Sequence, residues 1–244
     1  MKAMILAAGL GTRLRPLTDE RPKALVEVAG CTLLEIALRR LKEFGITEVV
    51  VNVHHFGEMV ARYLRAHDFG VRIDISQEEE LLDTGGGLKR AERLLAGGDE
   101  PFVLHNVDVI STIDLGAMVR AHRERGALAT LAVRKRESSR HLLFDGQGEL
   151  CGRHSRGAEA EMARAADGVE ALGFTGVHVI SPRIFGKLSE EGAFPIIPAY
   201  LRMAGEGERI CGFRCDAFQW RDVGTLKSLE LAGREMEERA QHFQ

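Results

Sequence analysis

A glycine turn followed by a cluster of cations stands near the start of the chain, in residues 6–25 (LAAGLGTRLRPLTDERPKAL). Gly9 and Gly11 permit positive φ angles and a close backbone approach, so successive N–H groups can point at phosphate oxygens. Arg13 offers a planar fork of donors that matches a phosphate, and Lys23 offers a compact point charge. The stretch predicts a phosphate site, although a tight turn with solvated cations fits these residues equally well when they are taken alone.

Two common phosphate-binding motifs are excluded for this loop. The P-loop pattern GxxxxGK[ST] is absent, because no Lys-Ser or Lys-Thr pair follows the second glycine. The dinucleotide fingerprint GxGxxG also fails, because Leu14 stands where its third glycine belongs. A phosphate site here would therefore be of another kind.

Two aspartates and a glycine-rich segment extend the candidate site. Asp108 follows an apolar strand, at the carboxyl end where open α/β sheets bind ligands, and Asp222 follows a later strand. Two carboxylates brought together from distant sequence suit one Mg²⁺ ion, whereas either aspartate alone is better explained as a helix cap or turn residue. Thr84-Gly85-Gly86 is expected to open a helix, whose free N–H groups favour polar or anionic ligand atoms.

The elements that must position these residues alternate between strand and helix patterns. A capping box at Thr32–Glu35 is expected to open the first helix. Strands are predicted at 3–8, 48–53, 71–75, 102–107 and 127–133. Further helices are predicted at 57–66, 86–95 and 115–125. This order predicts right-handed βαβ units and a parallel sheet covered on both faces.

From residue 134 the alternation stops. A hairpin is predicted around residues 146–148, and 157–168 is expected to be a surface loop that could serve as a flap. The remaining elements are predicted as a strand at 172–180, a short helix at 182–188, a strand at 208–214 and a closing helix at 225–241. One domain spanning residues 1–244 is expected.

Bulk composition excludes several classes of protein. The 244 residues carry a formal net charge of -3, so no global field recruits nucleic acid or a membrane surface, and no apolar run is long enough to span a bilayer. We expect no signal peptide, because the opening MKAMILAAG runs straight into structured sequence. Four cysteines without close spacing indicate reduced thiols and a cytoplasmic protein. A monomer or a small homo-oligomer is expected.

The motifs together resemble one family, the sugar-1-phosphate nucleotidylyltransferases. LAAGLGTRLRPLT followed by PKAL is very close to the family signature GxGTRLxPLT…PKxL. Four further segments match family motifs in the same order, namely LLDTGGGLKRA (81–91), HNVDV (105–109), FTGVHVISP (174–182) and WRDVGT (220–225). The resemblance covers nearly the whole chain. It implies an α/β, Rossmann-like fold of the nucleotide-diphospho-sugar transferase type, with a mostly parallel central sheet flanked by helices and a small β excursion in the second half.

The resemblance also implies roles for individual residues. Catalysis is expected from Arg13, Lys23 and Asp108, with Mg²⁺ held by Asp108 and Asp222. The nucleotide-binding residues are expected to be Leu6, Ala7, Ala8, Gly9, Gly11, Thr12, Arg13, Lys23, Glu78, Thr84 and Gly85. The substrate-binding residues are expected to be Asn106, Thr175, Gly176 and Asp222. The substrates would be a nucleoside triphosphate and a sugar 1-phosphate, which give an NDP-sugar and pyrophosphate.

The subgroup is less sharply defined by the sequence. The short chain and the TGGG variant resemble the compact N-acetylmuramate-1-phosphate uridylyltransferases most, so UTP and a hexose or N-acetyl-amino-sugar 1-phosphate are expected. Guanylyl transfer to mannose or heptose 1-phosphate, a non-catalytic nucleotide-sugar sensing subunit and a molybdenum-cofactor-type transferase are the alternatives. Val107 departs from the family, since many members carry glycine there.

Some polar residues lie outside these motifs. His54 and His55 are expected to be solvated loop histidines, and the run 78–80 is expected to be a solvated face in which Glu78 alone could approach a ligand. The segment Ser138–His141 fits either a sugar-binding edge or an ordinary exposed strand edge.

Overall fold

Strands and helices alternate through the first half of the chain, as predicted. The computed structural model describes the backbone of residues 1–242 and the side chains of residues 1–238. The strands of this half are β1 Lys2–Leu6, β2 Glu27–Val28, β3 Cys31–Thr32, β4 Glu48–Val53, β5 Arg72–Gln77, β6 Phe102–Asn106, β7 Val109–Ser111 and β8 Ala129–Arg134. The helices are α1 Leu33–Glu43, α2 Gly57–Ala66, α3 Asp83–Arg90, α4 Glu92–Leu95 and α5 Leu115–Glu124.

The second half is dominated by strands. These are β9 Arg140–Phe144, β10 Leu150–Ser155, β11 Glu161–Met162, β12 Glu170–Ile180, β13 Ile210–Arg214 and β14 Trp220–Asp222. Its α-helices are α6 Ile196–Gly205 and α7 Leu226–His242. Short 3₁₀ turns occupy Thr12–Leu14, Lys23–Leu25 and Pro182–Lys187. Within residues 1–242, no helix is both long and apolar enough to cross a membrane.

The main sheet is mixed, with a mostly parallel centre. Strands β5, β4, β1 and β6 are neighbours in that order, and every pair among them is parallel. The long strand β12 then runs antiparallel to β6 on one side and to β8 on the other. Strand β13 extends the sheet parallel to β8. The predicted α/β class is therefore confirmed. Strand β12 lies between β6 and β8, although it follows both of them in the sequence.

Two hydrophobic clusters cover the two faces of this sheet. Strand β1 shows the alternation, since Ala3 and Ile5 belong to one cluster and Met4 to the other, all three fully buried. The first cluster packs α1, α5 and α7 against the sheet, and the second packs α3, α4 and α6. Burial on both faces explains why the central strands are apolar almost throughout.

Helix α1 begins where the sequence predicted it. The hydroxyl of Thr32 accepts a hydrogen bond of 3.1 Å from the amide of Glu35 and so caps the helix. Helix α6, by contrast, was not predicted from the sequence. Pro198 lies in the first turn, where a helix needs no N–H donor, so the proline is compatible with the helix.

The excursion of the second half is a hairpin with one extra strand. Strands β9 and β10 pair antiparallel around the predicted turn. The segment 157–168 is mostly exposed, as expected, but its prediction as a loop without strands is wrong. It contains β11, which pairs with β10 through Gly152, whose missing Cβ leaves room for the Glu161 carbonyl.

Candidate active site

A cavity of about 510 Å³ opens at the carboxyl ends of β1, β4 and β6. In an open α/β sheet this edge is the place where ligands bind. The residues that line the cavity are Leu6, Ala8, Gly9, Lys23, Asn52, Leu81, Asp83, Thr84, Asn106, Val107, Asp108 and Ala193. Five of the predicted site residues thus meet in one place, together with Lys23 and Asp108 from distant segments.

The loop after β1 presents unpaired backbone donors to this cavity. In the part of the chain that the structure describes, no atom accepts a hydrogen bond from the amides of Gly9, Leu10 or Gly11. Gly11 adopts a φ of 65°, and a Cβ there would stand 2.9 Å from a methyl group of Thr18. The predicted glycine turn therefore has free N–H groups of the kind that can bind phosphate oxygens.

A buried carboxylate fixes the start of this loop. The side-chain oxygen of Asn52 accepts a hydrogen bond of 2.7 Å from the amide of Ala7, and its nitrogen donates to Glu78 Oε1 at 2.6 Å. The other oxygen of Glu78 accepts from the amide of Leu82 at 3.0 Å. Asn52 is 2% and Glu78 1% exposed. The expectation of a solvated face is therefore wrong for Glu78, because both its oxygens are engaged inside the protein and act on the loop through Asn52.

Lys23 and Asp108 form an ion pair at the mouth of the cavity. The ammonium of Lys23 donates to Asp108 Oδ2, and their side chains are only 13% and 12% exposed. Lys23 opens a 3₁₀ turn after Pro22, and Asp108 follows β6 by two residues. Each group thus neutralises the charge of the other. Both side chains also line the cavity, where a ligand can reach them.

The two predicted metal carboxylates approach each other through a small separate sheet. Strands β7 and β14 pair antiparallel with Asp222 opposite Val109, and the amide of Val223 donates to the Asp108 carbonyl at 2.9 Å. Gly224 lies beside both carboxylates. A Cβ on this residue would stand 2.6 Å from Arg13 Nη2, 2.7 Å from Asp222 Oδ1 and 3.2 Å from Asp108 Oδ2.

The Gly224 cradle, formed by Arg13, Asp108 and Asp222 around Gly224, has the donors that Mg²⁺ requires. Residues 1–238 contain no cluster of three or more potential ligands from histidine, cysteine, aspartate and glutamate. Mg²⁺ is commonly held by one or two carboxylates, with the remaining positions filled by substrate phosphates and water. Two converging carboxylate oxygens beside an arginine therefore fit Mg²⁺ in the presence of a phosphate ligand.

The glycine-rich segment at α3 corrects one prediction. The amides of Gly85 and Gly86 donate to the carbonyl of Phe194, at 2.9 and 3.2 Å, and the Thr84 hydroxyl accepts from the amide of Ile196 at 3.0 Å. The expected free N–H groups are therefore absent at these two residues. Gly85 is buried against the Phe194 ring, so its predicted contact with a nucleotide is replaced by a packing role, and only Thr84 of this group lines the cavity.

We expect Gly85→Ala to destabilise the protein by roughly 1–3 kcal/mol, because the added methyl group would overlap the Phe194 ring in a packed interior. Gly233→Ala is the matched control, since a Cβ at this helical position of α7 meets nothing within 4 Å. The control should be neutral or slightly stabilising. Chemical denaturation of both variants measures the difference, and equal stabilities would contradict the packing role.

The predicted substrate residues divide into two groups. Asn106 lines the cavity, and Gly176, with φ of 83°, approaches it so closely that a Cβ would stand 2.8 Å from Asn106 Nδ2. Thr175 is 1% exposed, its hydroxyl donates to the Ala132 carbonyl at 2.8 Å, and its carbonyl accepts from Trp220 Nε1 at 2.8 Å. The Thr175 side chain is thus held in the core and does not line the cavity.

Sequence reasoning missed three residues of the cavity wall. Leu81 precedes α3 and Asp83 is its first residue, with the left-handed φ of 58° that is unusual for a residue other than glycine. Ala193 comes from a distant segment that carries no motif.

Of the expected loop histidines, His55 is exposed, whereas His54 is half-buried with Nδ1 3.1 Å from the Glu78 carbonyl. Val107 is buried in the cavity wall, and its amide donates to the Leu6 carbonyl at 3.2 Å.

Free amides, two cations and paired carboxylates at the strand ends define a class of protein that handles phosphate groups. A family model described as nucleotidyl transferase matches residues 2–142. The chain is 37% identical over 235 residues to N-acetylmuramate alpha-1-phosphate uridylyltransferase from Caulobacter vibrioides, with 91% of each chain covered. It is 32% identical over 236 residues to mannose-1-phosphate guanylyltransferase catalytic subunit beta from Danio rerio, which covers 93% of this chain and 62% of that protein.

A solved structure gives the same result for the fold. UDP-glucose pyrophosphorylase in complex with UDP-glucose superposes with a TM-score of 0.77 over 98% of both chains, at 17% identity. The chain belongs to the nucleotidyl transferase family, in the branch of the sugar-1-phosphate nucleotidylyltransferases. The enzyme transfers a nucleotidyl group from a nucleoside triphosphate to a sugar 1-phosphate, giving an NDP-sugar and pyrophosphate.

Proposed function

We propose that this enzyme is a Mg²⁺-dependent uridylyltransferase that uses UTP and a hexose or N-acetyl-amino-sugar 1-phosphate. The observation that carries the catalytic part is the Gly224 cradle, where Arg13 and two carboxylates converge beside the ion pair of Lys23 and Asp108. The relative from Caulobacter vibrioides supports the choice of base and sugar, because its match extends over nearly the full length of both chains.

The reaction is a direct in-line displacement at the α-phosphorus. An oxygen of the sugar phosphate forms the new P–O bond, the bond between the α-phosphorus and the bridging oxygen breaks, and pyrophosphate leaves with that electron pair. The attacking phosphate is already ionised, so no protein nucleophile is needed, and catalysis consists of positioning and charge neutralisation. The free amides of Gly9–Gly11 would bind the triphosphate and Arg13 would hold it. Lys23 would reach the α-phosphate and the incoming sugar phosphate.

Asp108 and Asp222 would hold Mg²⁺ in this proposal, because their oxygens face the same point beside Gly224. When bound, the ion would neutralise negative charge on the phosphate oxygens. The ion pair with Asp108 already holds the ammonium of Lys23 at the cavity. The phosphates of a bound nucleotide would be attracted to this ammonium. The sensing subunit without catalysis is disfavoured, since Arg13, Lys23 and both carboxylates are present together.

We expect Lys23→Ala and Arg13→Ala each to lower turnover by about a hundredfold or more, because each cation stabilises phosphate charge that shifts during transfer. Loss of Arg13 should act more through the triphosphate and loss of Lys23 more through the α-phosphate. Steady-state pyrophosphate release measures both effects. Arg15→Ala is the control, because Arg15 is exposed in the same loop and, among residues 1–238, forms an ion pair with Asp19 alone, at 3.2 Å. Unchanged kinetics for either cation would remove it from the site.

The base should be selected strongly, because a site that hydrogen-bonds one base leaves buried polar groups unpaired with another. Thermal stabilisation by UTP, GTP, CTP and dTTP, each with Mg²⁺, is expected to single out UTP. Guanylyl transfer to mannose or heptose 1-phosphate is the second candidate, since the guanylyltransferase from Danio rerio matches 93% of this chain. Stronger stabilisation by GTP would replace the uridylyl proposal and leave the reaction class unchanged.

The wider setting is also a proposal. Residues 1–244 would form a single nucleotidyltransferase domain, of which the last two lie outside the described residues. The four cysteines are free thiols, which supports a cytoplasmic location. A monomer or small homo-oligomer that meets neither nucleic acid nor membrane remains the prediction, and size-exclusion chromatography with light scattering would test the oligomeric state.

A further inference from the structure

Arg136 lies outside every motif of the sequence, and its side chain reaches from the end of β8 to β14. It passes β12 at Gly173, where a Cβ would stand 2.6 Å from both Cγ and Nε of Arg136. Beyond this point Nη2 donates to the Phe174 carbonyl at 3.0 Å, and the guanidinium carbon lies 4.9 Å from the centre of the Trp220 ring. The path of this arginine therefore depends on the absence of a side chain at residue 173.

This path brings the guanidinium to the substrate side of the active site. Trp220 and Asp222 are two residues apart on β14, so their side chains stand on the same face, about 7 Å apart along the strand. Phe174 precedes by two residues Gly176, which adjoins the wall of the cavity at the strand ends. Arg136 thus contacts both the strand that carries Asp222 and the strand that carries the predicted substrate residues.

The positive charge of Arg136 has no carboxylate partner. Among residues 1–238 this half-buried side chain forms no ion pair, and its Nε is buried without an acceptor. Two other half-buried arginines are neutralised, Arg164 by Asp145 at 2.5 Å and Arg202 by Glu190 at 2.8 Å. A guanidinium that is partly removed from water without an ion pair favours an anionic ligand, because such a ligand would offset the lost hydration.

The carboxylate of Asp222 has two arginines near it, from different parts of the chain. Arg13 Nη2 and Asp222 Oδ1 would stand 2.6 and 2.7 Å from a Cβ on Gly224. Arg136 approaches from Trp220; burial lowers its pKa, and the charge of Asp222 acts in the opposite direction. In the proposed reaction Asp222 holds Mg²⁺ and Arg13 holds the triphosphate, so Arg136 remains available to a second anion.

We propose that Arg136 is a further catalytic residue, whose guanidinium binds the phosphate of the incoming sugar 1-phosphate. This inference rests on the proposed function, which places the reacting phosphates beside Asp222. Arginine offers a planar fork of donors to a phosphate, and the Trp220 ring and the Phe174 carbonyl orient this fork. The sugar phosphate and the triphosphate repel each other, so a fixed cation on the sugar side lowers the cost of bringing them together.

Arg136→Met removes the charge and keeps an unbranched stem that can lie against Gly173 and the Trp220 ring. Pyrophosphate release is measured with UTP, Mg²⁺ and N-acetylglucosamine 1-phosphate. We expect the KM of the sugar phosphate to rise about ten- to hundredfold, and the KM of UTP to change by less than about threefold. Arg136→Lys should recover part of the loss, because lysine restores the charge without the fork.

Arg134→Met is the matched control for this substitution. The guanidinium carbon of Arg134 lies 5.9 Å from the centre of the same Trp220 ring, and its Nη1 donates to the Phe218 carbonyl at 3.4 Å. The control therefore removes an equal charge beside the same ring. Neither KM should change by more than about threefold in this variant.

Trp220 is the single tryptophan of the chain, so its fluorescence reports binding beside Arg136. N-acetylglucosamine 1-phosphate is titrated into enzyme that holds Mg²⁺ and a UTP analogue resistant to cleavage. The titration is expected to saturate in the wild type and in Arg134→Met, and its midpoint should shift at least about tenfold in Arg136→Met. This measurement does not depend on turnover, and circular dichroism checks that each variant is folded.

Three results would overturn the proposal: an unchanged KM for the sugar phosphate in Arg136→Met, an equal rise in the KM of UTP, or an equal effect in Arg134→Met. The last two would mean that Arg136 acts through the position of Trp220 or through general charge. If Arg136→Met does not fold, Arg136→Lys takes its place, and an unchanged KM for the sugar phosphate in that variant would overturn the proposal.

The substrates of the test separate this role from the proposed function. A wild-type enzyme that instead uses GTP and mannose 1-phosphate would replace the proposed base and sugar, and the same variants measured with that pair would decide the role of Arg136. A wild-type enzyme inactive with both pairs would overturn the proposed function and this role with it.

Discussion

Asp108→Asn is expected to lower kcat/KM for nucleotidyl transfer by about a thousandfold while the protein remains folded. Asparagine keeps the size of the side chain and an oxygen that can accept from Lys23, so the buried contact survives in neutral form. The negative charge that would hold Mg²⁺ opposite Asp222 is lost. Pyrophosphate release measures the activity, and circular dichroism checks the fold.

Asp19→Asn is the control for this variant, because Asp19 is exposed and its one ion pair with a described side chain is to Arg15 in the same loop. It should retain the wild-type rate. EDTA treatment of the wild-type enzyme should reproduce the loss seen in Asp108→Asn, and added Mg²⁺ or Mn²⁺ should restore activity to the wild-type enzyme alone. Near wild-type rates in either the variant or the EDTA-treated enzyme would show that the metal assignment is wrong.

Gly224→Ala is expected to be as damaging, on the order of a thousandfold in kcat/KM, although it removes no functional group. Its methyl group would stand 2.6 Å from Arg13 Nη2 and 2.7 Å from Asp222 Oδ1, so both would have to shift, and Asp108 Oδ2 at 3.2 Å would have to move slightly. Displacing catalytic groups by about 1 Å can cost a hundredfold, and here three are displaced at once. Isothermal titration with Mg²⁺ and UTP, beside the rate, would show the loss of binding directly.

Gly146→Ala is the comparison for Gly224→Ala, because a Cβ at this loop position meets nothing within 4 Å. Activity and thermal stability of this variant should match those of the wild type. Retention of activity in Gly224→Ala would mean that the three side chains do not work from the positions seen here, and the assignment of the cradle would then be withdrawn.

Local signals in the sequence predicted most of the elements because the first half follows simple rules. The capping residue Thr32 and the apolar strands gave α1, β4 and β6 to within a residue or two. The antiparallel insertion of β12 between β6 and β8 could not be read from the sequence. A strand buried on both faces is apolar in either direction, so hydropathy carries no information about its orientation.

The site was predicted from motifs, and the errors arose where a motif has a packing role. Glu78 stands in an acidic run that looks solvated, yet it is buried because Asn52 and the Leu82 amide satisfy it. The glycines of α3 look like a ligand-binding turn, yet Gly85 is needed because Phe194 packs against it. Asn52 is distant in sequence from Glu78, and Phe194 is distant from Gly85, so only the folded chain brings each pair together.

The pairing of β7 with β14 has a consequence for the order in which the enzyme becomes competent. The free amides, Arg13, Lys23 and Asp108 all belong to the first 108 residues, whereas Asp222 arrives on β14. During synthesis on a ribosome, the nascent chain would thus carry its phosphate-binding loop for roughly half of its elongation before the second carboxylate exists. A growing chain of this enzyme would gain its full catalytic charge set only near the end of translation.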